Sequence, residues 1–257
     1  MIPVVHPQNK NSIGAYPFLY EQYKVIKNKL EEISGNFISE EAILDAINIY
    51  NEHNSTMRDF IELANAYPVE ISPQNRNYVI KSGFFMDKKE HTKIVRDLIT
   101  QIKKAQPQKF KGIKVVTTGI IADSENLLNI LKENKIAIAY DDIAHESRQF
   151  RNDSIYEGDG IGALVKQFLS FYGCSTIIGG HISREDHIVE LVKKSNADGV
   201  IAFMTKFCDP DEYDYPLIKE KLDKSNINLL SIEVDKQTQN YGQAATAIQT
   251  FKEMIYL

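Results

Sequence analysis

The sequence predicts an α/β fold: a Rossmann-like, doubly wound parallel sheet of about four strands, preceded by an α-helical layer. Three observations lead there. From residue 107 onward, short apolar or β-branched runs at 113–119, 136–140, 199–204 and 229–234 alternate with amphipathic stretches, and that alternation favours a parallel sheet covered on both faces. Before residue 107 the apolar residues recur at spacings of three and four, the period of helices. The chain of 257 residues, 43% hydrophobic and 25% charged, has ordinary globular composition and is long enough to bury a sizeable core.

The elements follow in order. Phe18, Leu19, Tyr23, Ile26, Leu30 and Ile33 mark a first helix that closes on Gly35. Ser39, with Glu40 and Glu41 behind it, reads as the N-cap of a second, whose stripe of Ile43, Ala46, Ile47, Tyr50, Met57, Phe60, Ile61 and Ala64 stops before Pro68. The two are expected to form an antiparallel pair with their stripes in the core. Shorter helices at about 73–82 and 88–104 complete this layer, and Pro107 marks a boundary. Residues 1–106 are therefore a helical region (a linker strand plus antiparallel helices), and 107–257 an α/β domain. In the second region the helices fall at 124–132, 161–172, 184–194, 211–224 and 244–256.

Composition excludes several classes. A net charge of −5 and the lack of a basic stripe interleaved with aromatics argue against nucleic acid as a partner. The start, Met-Ile-Pro-Val-Val-His-Pro, has neither a basic segment nor a long apolar one, and no apolar run approaches membrane-spanning length. No membrane association is expected, and the expected compartment is cytoplasmic. Two cysteines cannot build a disulfide framework and suit a reducing environment. His6, His53, His91, His145, His181 and His187 lack paired-ligand spacing, so zinc is not expected. Gly179-Gly180-His181 reads as a loop because the phosphate-binding glycine spacings are missing.

Each strand delivers polar residues to its C-terminal edge, where ligands bind in open α/β sheets. They are Thr117, Thr118 and Gly119; Asp141, Asp142, Ser147 and Arg148; Lys206 and Cys208; and Asp235. Asp142 suits a cap or loop brace, whereas the guanidinium fork of Arg148 suits a phosphate or carboxylate. Ser147, Arg148 and Lys206 are the expected substrate contacts, and no catalytic residue is assigned. By itself Cys208 is either a buried small hydrophobe or a metal-ligand thiol. Asp209 is the expected N-cap and Pro210 the first-turn proline of the following helix, a start that sets the sulfur beside the positive end of a helix dipole.

The block Lys206-Phe207-Cys208-Asp209-Pro210 is preceded by Ala197-Asp198-Gly199-Val200-Ile201 and followed by Tyr213-Asp214-Tyr215-Pro216 and Ile232-Glu233-Val234-Asp235. With the upstream run from Tyr140-Asp141-Asp142 to Arg148-Gln149-Phe150, these blocks resemble the 2-hydroxyacyl-CoA dehydratase and benzoyl-CoA reductase family from about residue 15 to the end. The resemblance implies that Cys208 ligates an iron–sulfur cluster and that Cys174, in Tyr172-Gly173-Cys174-Ser175-Thr176, does not. It also implies a further N-terminal domain with two more cluster cysteines, which these 257 residues do not contain. One matching thiolate does not hold a [4Fe-4S] cluster alone. The expectation is thus an N-terminally short subunit whose cluster is completed by residues outside the chain, or lost. The implied reaction is elimination of water from an (R)-2-hydroxyacyl-CoA to give a 2-enoyl-CoA through a ketyl radical. The implied partners are a second dehydratase subunit, an ATP-dependent activator protein and the acyl-CoA substrate, with this chain in a relay or noncatalytic role. An ATP-driven reductase relative and a cluster-free scaffold subunit are the alternatives.

Overall fold

Serine and aspartate caps open most of the helices. The computed structural model describes residues 1–156, 158–235 and 241–256. Helix α1 (Ala15–Ser34) ends on Gly35, whose φ of 69° is left-handed and favours glycine. Ser39 accepts from the Ala42 N–H at the start of α2 (Glu40–Ala66). Ser72 and Asp87 do the same for α3 (Pro73–Ser82) and α4 (Lys88–Ile102), as Ser124 does for α5 (Glu125–Glu133). Each such cap is worth about 1 kcal/mol against alanine.

Strands β1 (Ile113–Gly119), β2 (Ile136–Ile143), β3 (Gly199–Thr205) and β4 (Asn228–Val234) form one all-parallel sheet in the order β2-β1-β3-β4. Every residue of β2 is buried, as a strand covered on both faces requires. Between the strands run α6 (Gly160–Ser170), α7 (Arg184–Ser195) and α8 (Asp209–Lys224), and α9 (Gly242–Ile255) closes the chain. On one face Val115, Ile138, Ile201 and Phe203 pack with Leu127, Leu131, Ile248 and Phe251 of α5 and α9. On the other, Val116, Tyr140 and Val200 pack with Ile188 and Val192 of α7, Ile218 and Leu222 of α8, and Met57, Phe60 and Ile61 of α2. The doubly wound parallel sheet read from the sequence is present. Because α2 lies directly on β2, the helical layer and the sheet share this second core.

Two readings of the helical layer are corrected. The antiparallel α1/α2 pair is not the packing unit: α1 lies against α6, and α2 against α4 and β2. The α1 stripe is also not core, since only Ala15 and Leu19 of that helix are buried while Phe18, Leu30 and Ile33 are exposed. Tyr23, Ile26 and Leu30 instead wall a cleft of about 860 Å³ shared with Ile161, Leu164 and Phe168 of the α6 side. Periodicity reports which residues share a helix face; it does not report what that face meets.

Candidate functional site

Strand order reverses between β1 and β3, the place where an open α/β sheet splays its loops apart and leaves a crevice. β1 reaches it at Gly119, with φ 143° and a position where a Cβ would collide with the Phe203 carbonyl oxygen. β3 reaches it through a tight turn. Lys206 N–H donates to the Val234 carbonyl at 3.0 Å and Cys208 N–H to the Thr205 carbonyl at 3.1 Å. Between them Phe207 has φ 62° and is 93% exposed, a left-handed conformation costing about 1–2 kcal/mol for a residue with a Cβ. The sequence predicts the cap of α8 at Asp209. Instead the turn starts the helix one residue early, so Cys208 is the N-cap, without a side-chain cap bond, and Asp209 is the first helical residue. The Cys208 thiol is half-buried at the helix N-terminus, beside Asp209, Asp211 and Glu212 of the first turn.

Beneath this rim lies a buried ionic network. Asp142 is fully buried and accepts from Thr118 Oγ1 at 3.0 Å, Arg148 Nη2 at 2.8 Å, Arg151 Nη2 at 2.7 Å and Arg184 Nε at 2.8 Å. Burial opposes its ionisation, but the Arg148, Arg184 and Arg151 guanidiniums outweigh it and hold the carboxyl far below the usual range. Arg184 extends the network. Its Nη1 donates to Asp211 at 2.6 Å, Ser175 Oγ at 2.7 Å and Asp214 at 3.1 Å, and its Nη2 to Thr118 Oγ1 at 2.9 Å. On the other side of β2, buried Arg76 pairs with Asp141 and Glu146.

The predicted residues are distributed over this rim. Ser147 is half-buried and donates through Oγ to the Asp141 carbonyl at 2.6 Å and through N–H to Asp141 Oδ1 at 3.0 Å. Arg148, buried, spends Nε and Nη2 on Asp142, while its side chain also borders the α1/α6 cleft. Lys206 is exposed and lies 3.2 Å from Glu233. Cys174 is free, 3.2 Å from Thr176 Oγ1. Asp142 braces the loop after β2, as one of its two readings had it, and it does so from inside the sheet.

Sequence reasoning misses Arg151, Arg184 and Asp211. A signal for them existed. Two adjacent aspartates at the end of a strand covered on both faces require buried cations, and Arg184 stands directly after the N-cap Ser183, where a cation opposes the helix dipole.

Among the described residues no group of three or more His, Cys, Asp or Glu could hold a metal ion. An iron–sulfur cluster is held by several thiolates, and the two free thiols, Cys174 and Cys208, do not make a complete set of ligands. Also among the described residues, no helix is long and apolar enough to cross a membrane.

Two buried histidines predict a fold that weakens in acid. His53 Nε2 lies 3.0 Å from His91 Nδ1, and His187 packs edge-on against Tyr172. Burial, with Lys88 and His91 nearby, lowers His53 to about 4; burial, with Arg151 nearby, lowers His187 to about 4. An unfolded chain takes up these protons near the ordinary value of 6.5. The stability held by the neutral rings is therefore complete above about 6.5 and is lost as the pH falls toward about 4, on the order of 1 kcal/mol apiece by about pH 5.5. Thermal unfolding should show a lower midpoint at pH 5.5 than at pH 7, and an equal midpoint would contradict the neutral buried rings.

Comparison with known proteins adds the family. The (R)-phenyllactyl-CoA dehydratase beta subunit of Clostridium sporogenes is 50% identical over 254 residues, 99% of this chain and 68% of that protein. The (R)-2-hydroxyglutaryl-CoA dehydratase beta subunit of Acidaminococcus fermentans is 39% identical over 259 residues, again 99% of this chain and 68% of that protein. A benzoyl-CoA reductase subunit of Thauera aromatica is 25% identical over 244 residues, 92% of this chain and 62% of that protein. Residues 1–255 match the family model described as the 2-hydroxyglutaryl-CoA dehydratase D-component, and the chain belongs to that family.

Proposed function

We propose that this chain works as a beta-type subunit of a 2-hydroxyacyl-CoA dehydratase that eliminates water from an (R)-2-hydroxyacyl-CoA to give the 2-enoyl-CoA. The observation that carries the reading is the 50% identity along nearly the whole chain to a subunit of one such dehydratase. The thiol of Cys208 at the strand-order reversal supports it. A dehydratase is favoured over a reductase because identity falls to 25% against the benzoyl-CoA reductase relative.

In this reading Cys208 supplies one thiolate to a [4Fe-4S] cluster whose other ligands lie outside the chain, and the cluster when bound supplies low-potential electron transfer. The chain's own residues hold that thiol at a helix N-terminus, and Arg184 pairs the same helix with Asp142 of the sheet. Ser147, Arg148 and Lys206 are the proposed substrate-side residues. The apolar cleft bordered by Arg148 suits the apolar part of an acyl thioester. The working partners are a second dehydratase subunit and an ATP-dependent activator, in the cytoplasm.

The test is product analysis under anaerobic conditions. The purified chain with a partner subunit, activator, ATP and 2-hydroxyacyl-CoA should yield enoyl-CoA, and the chain alone should yield none. A reduced product with no enoyl-CoA would instead assign the reductase branch. An inactive assembled complex that binds no iron would assign the scaffold.

A further inference from the structure

We propose that Arg184 is the positioning residue for Cys208. The inference rests on the reading of Cys208 as a ligand thiol, and it stands on the geometry of one side chain.

Cys208 caps α8 without a hydrogen bond from its own side chain, and the turn before it runs through Phe207 in a left-handed conformation. Neither the cap nor the turn favours this start of the helix. The cap residue is not of the preferred type, and the turn carries a backbone cost. Pro210 and the acidic residues Asp209, Asp211 and Glu212 favour the helix locally, and one buried anchor ties that first turn to the rest of the fold. Asp211, three residues after Cys208, is only 1% exposed, and it accepts from Arg184 Nη1 at 2.6 Å. Asp214, one turn further on, accepts from the same nitrogen at 3.1 Å.

The other two nitrogens of the guanidinium reach the sheet, at Thr118 Oγ1 on β1 and Asp142 on β2. A single planar fork therefore ties the helix that carries Cys208 to the two strands beneath it. It also holds Ser175, next to Cys174, against the same helix turn, with Ser175 Oγ 3.4 Å from Asp211 Oδ1. Lysine has the charge but not the fork, so it cannot span these five partners. Arg151 serves as the comparison: it bonds the same Asp142 carboxylate and the Tyr172 carbonyl, and among the described residues none of its hydrogen bonds or ion pairs reaches α8.

The experiment is the rate of iodoacetamide labelling at Cys208 in the purified full chain, followed by peptide mass spectrometry. Arg184→Lys should raise that rate roughly tenfold, because the freed turn opens locally. Asp211→Asn should raise it in the same direction, whereas Arg151→Lys should leave it at the wild-type rate. Equal rises in Arg184→Lys and Arg151→Lys would reduce the effect to general loosening and overturn the proposal, as would wild-type rates in both Arg184→Lys and Asp211→Asn. Should Arg184→Lys not fold, Asp211→Asn against Arg151→Lys decides. Iron content of the assembled complex is the separate readout for the function. Wild-type complex without Cys208-dependent iron would sink the ligand reading and leave the labelling result standing.

Discussion

Cys208→Ser is expected to remove most of the iron from the anaerobically assembled complex, while Cys174→Ser leaves it near the wild-type level. Only Cys208 lies at the end of β3, on the side of the sheet where the strand order reverses. The substitution is a clean one for the fold. Cys208 is the N-cap of α8 and makes no cap hydrogen bond, and serine is among the preferred N-cap residues. The variant should therefore be as stable as wild type, or more stable by about 0.5–1 kcal/mol. Iron loss in a protein of undiminished stability points to the missing thiolate and not to a damaged helix. Iron unchanged in Cys208→Ser but reduced in Cys174→Ser would reverse the assignment.

The second large effect belongs to Asp142. Asp142→Asn should destabilise the chain by about 3–5 kcal/mol or leave it unfolded, because removing one partner of a buried ion pair leaves the other uncompensated, and here three guanidiniums lose one carboxylate. The neutral amide would also present donors to donors at part of the site. The contrast is Asp153, which pairs with Arg58 at 2.6 Å with both side chains more than a third exposed. There the same substitution should cost less than about 1 kcal/mol, as solvent already screens the pair. Denaturant unfolding of the two variants measures the difference. A cost under about 1 kcal/mol for Asp142→Asn would mean that the network is not the base on which the rim stands.

Local chemistry made most of the elements legible. Ser39 reads as an N-cap and caps α2, because a short polar side chain satisfies orphan N–H groups without help from distant residues; in the structure Ser72, Asp87, Ser124 and Ser183 cap their helices in the same way. β2 and β3 were legible for a similar reason, since a strand covered on both faces must be apolar through its middle, whereas the edge strand β4 is only partly buried. The site was legible where it depended on such local signals. Cys208 reads as lying at the end of β3 and the start of a helix, and both are so.

What the sequence could not give was the partner of each face and each charge. The stripe of α1 has the same period as that of α2, yet the first borders a cleft, and of the second Ile43 borders that cleft, Ala46 and Tyr50 are exposed and the part from Met57 to Ala64 lies in the core, since period encodes the face and only packing supplies what covers it. Arg148 reads as a free fork in the sequence because Asp142, six residues earlier, is also read alone; in the fold Asp142 collects Arg148 and Arg151 from the loop after β2 and Arg184 from α7. Likewise nothing near Cys208 in the chain announces Arg184, which lies more than twenty positions before it and bonds the first turns of the same helix. By itself the sequence determined the doubly wound sheet, the succession of helices and the thiol at the strand end, all set by neighbours along the chain. The tertiary structure alone decided the ionic base beneath that thiol, because charges separated by tens of residues find their partners only when the sheet brings them together.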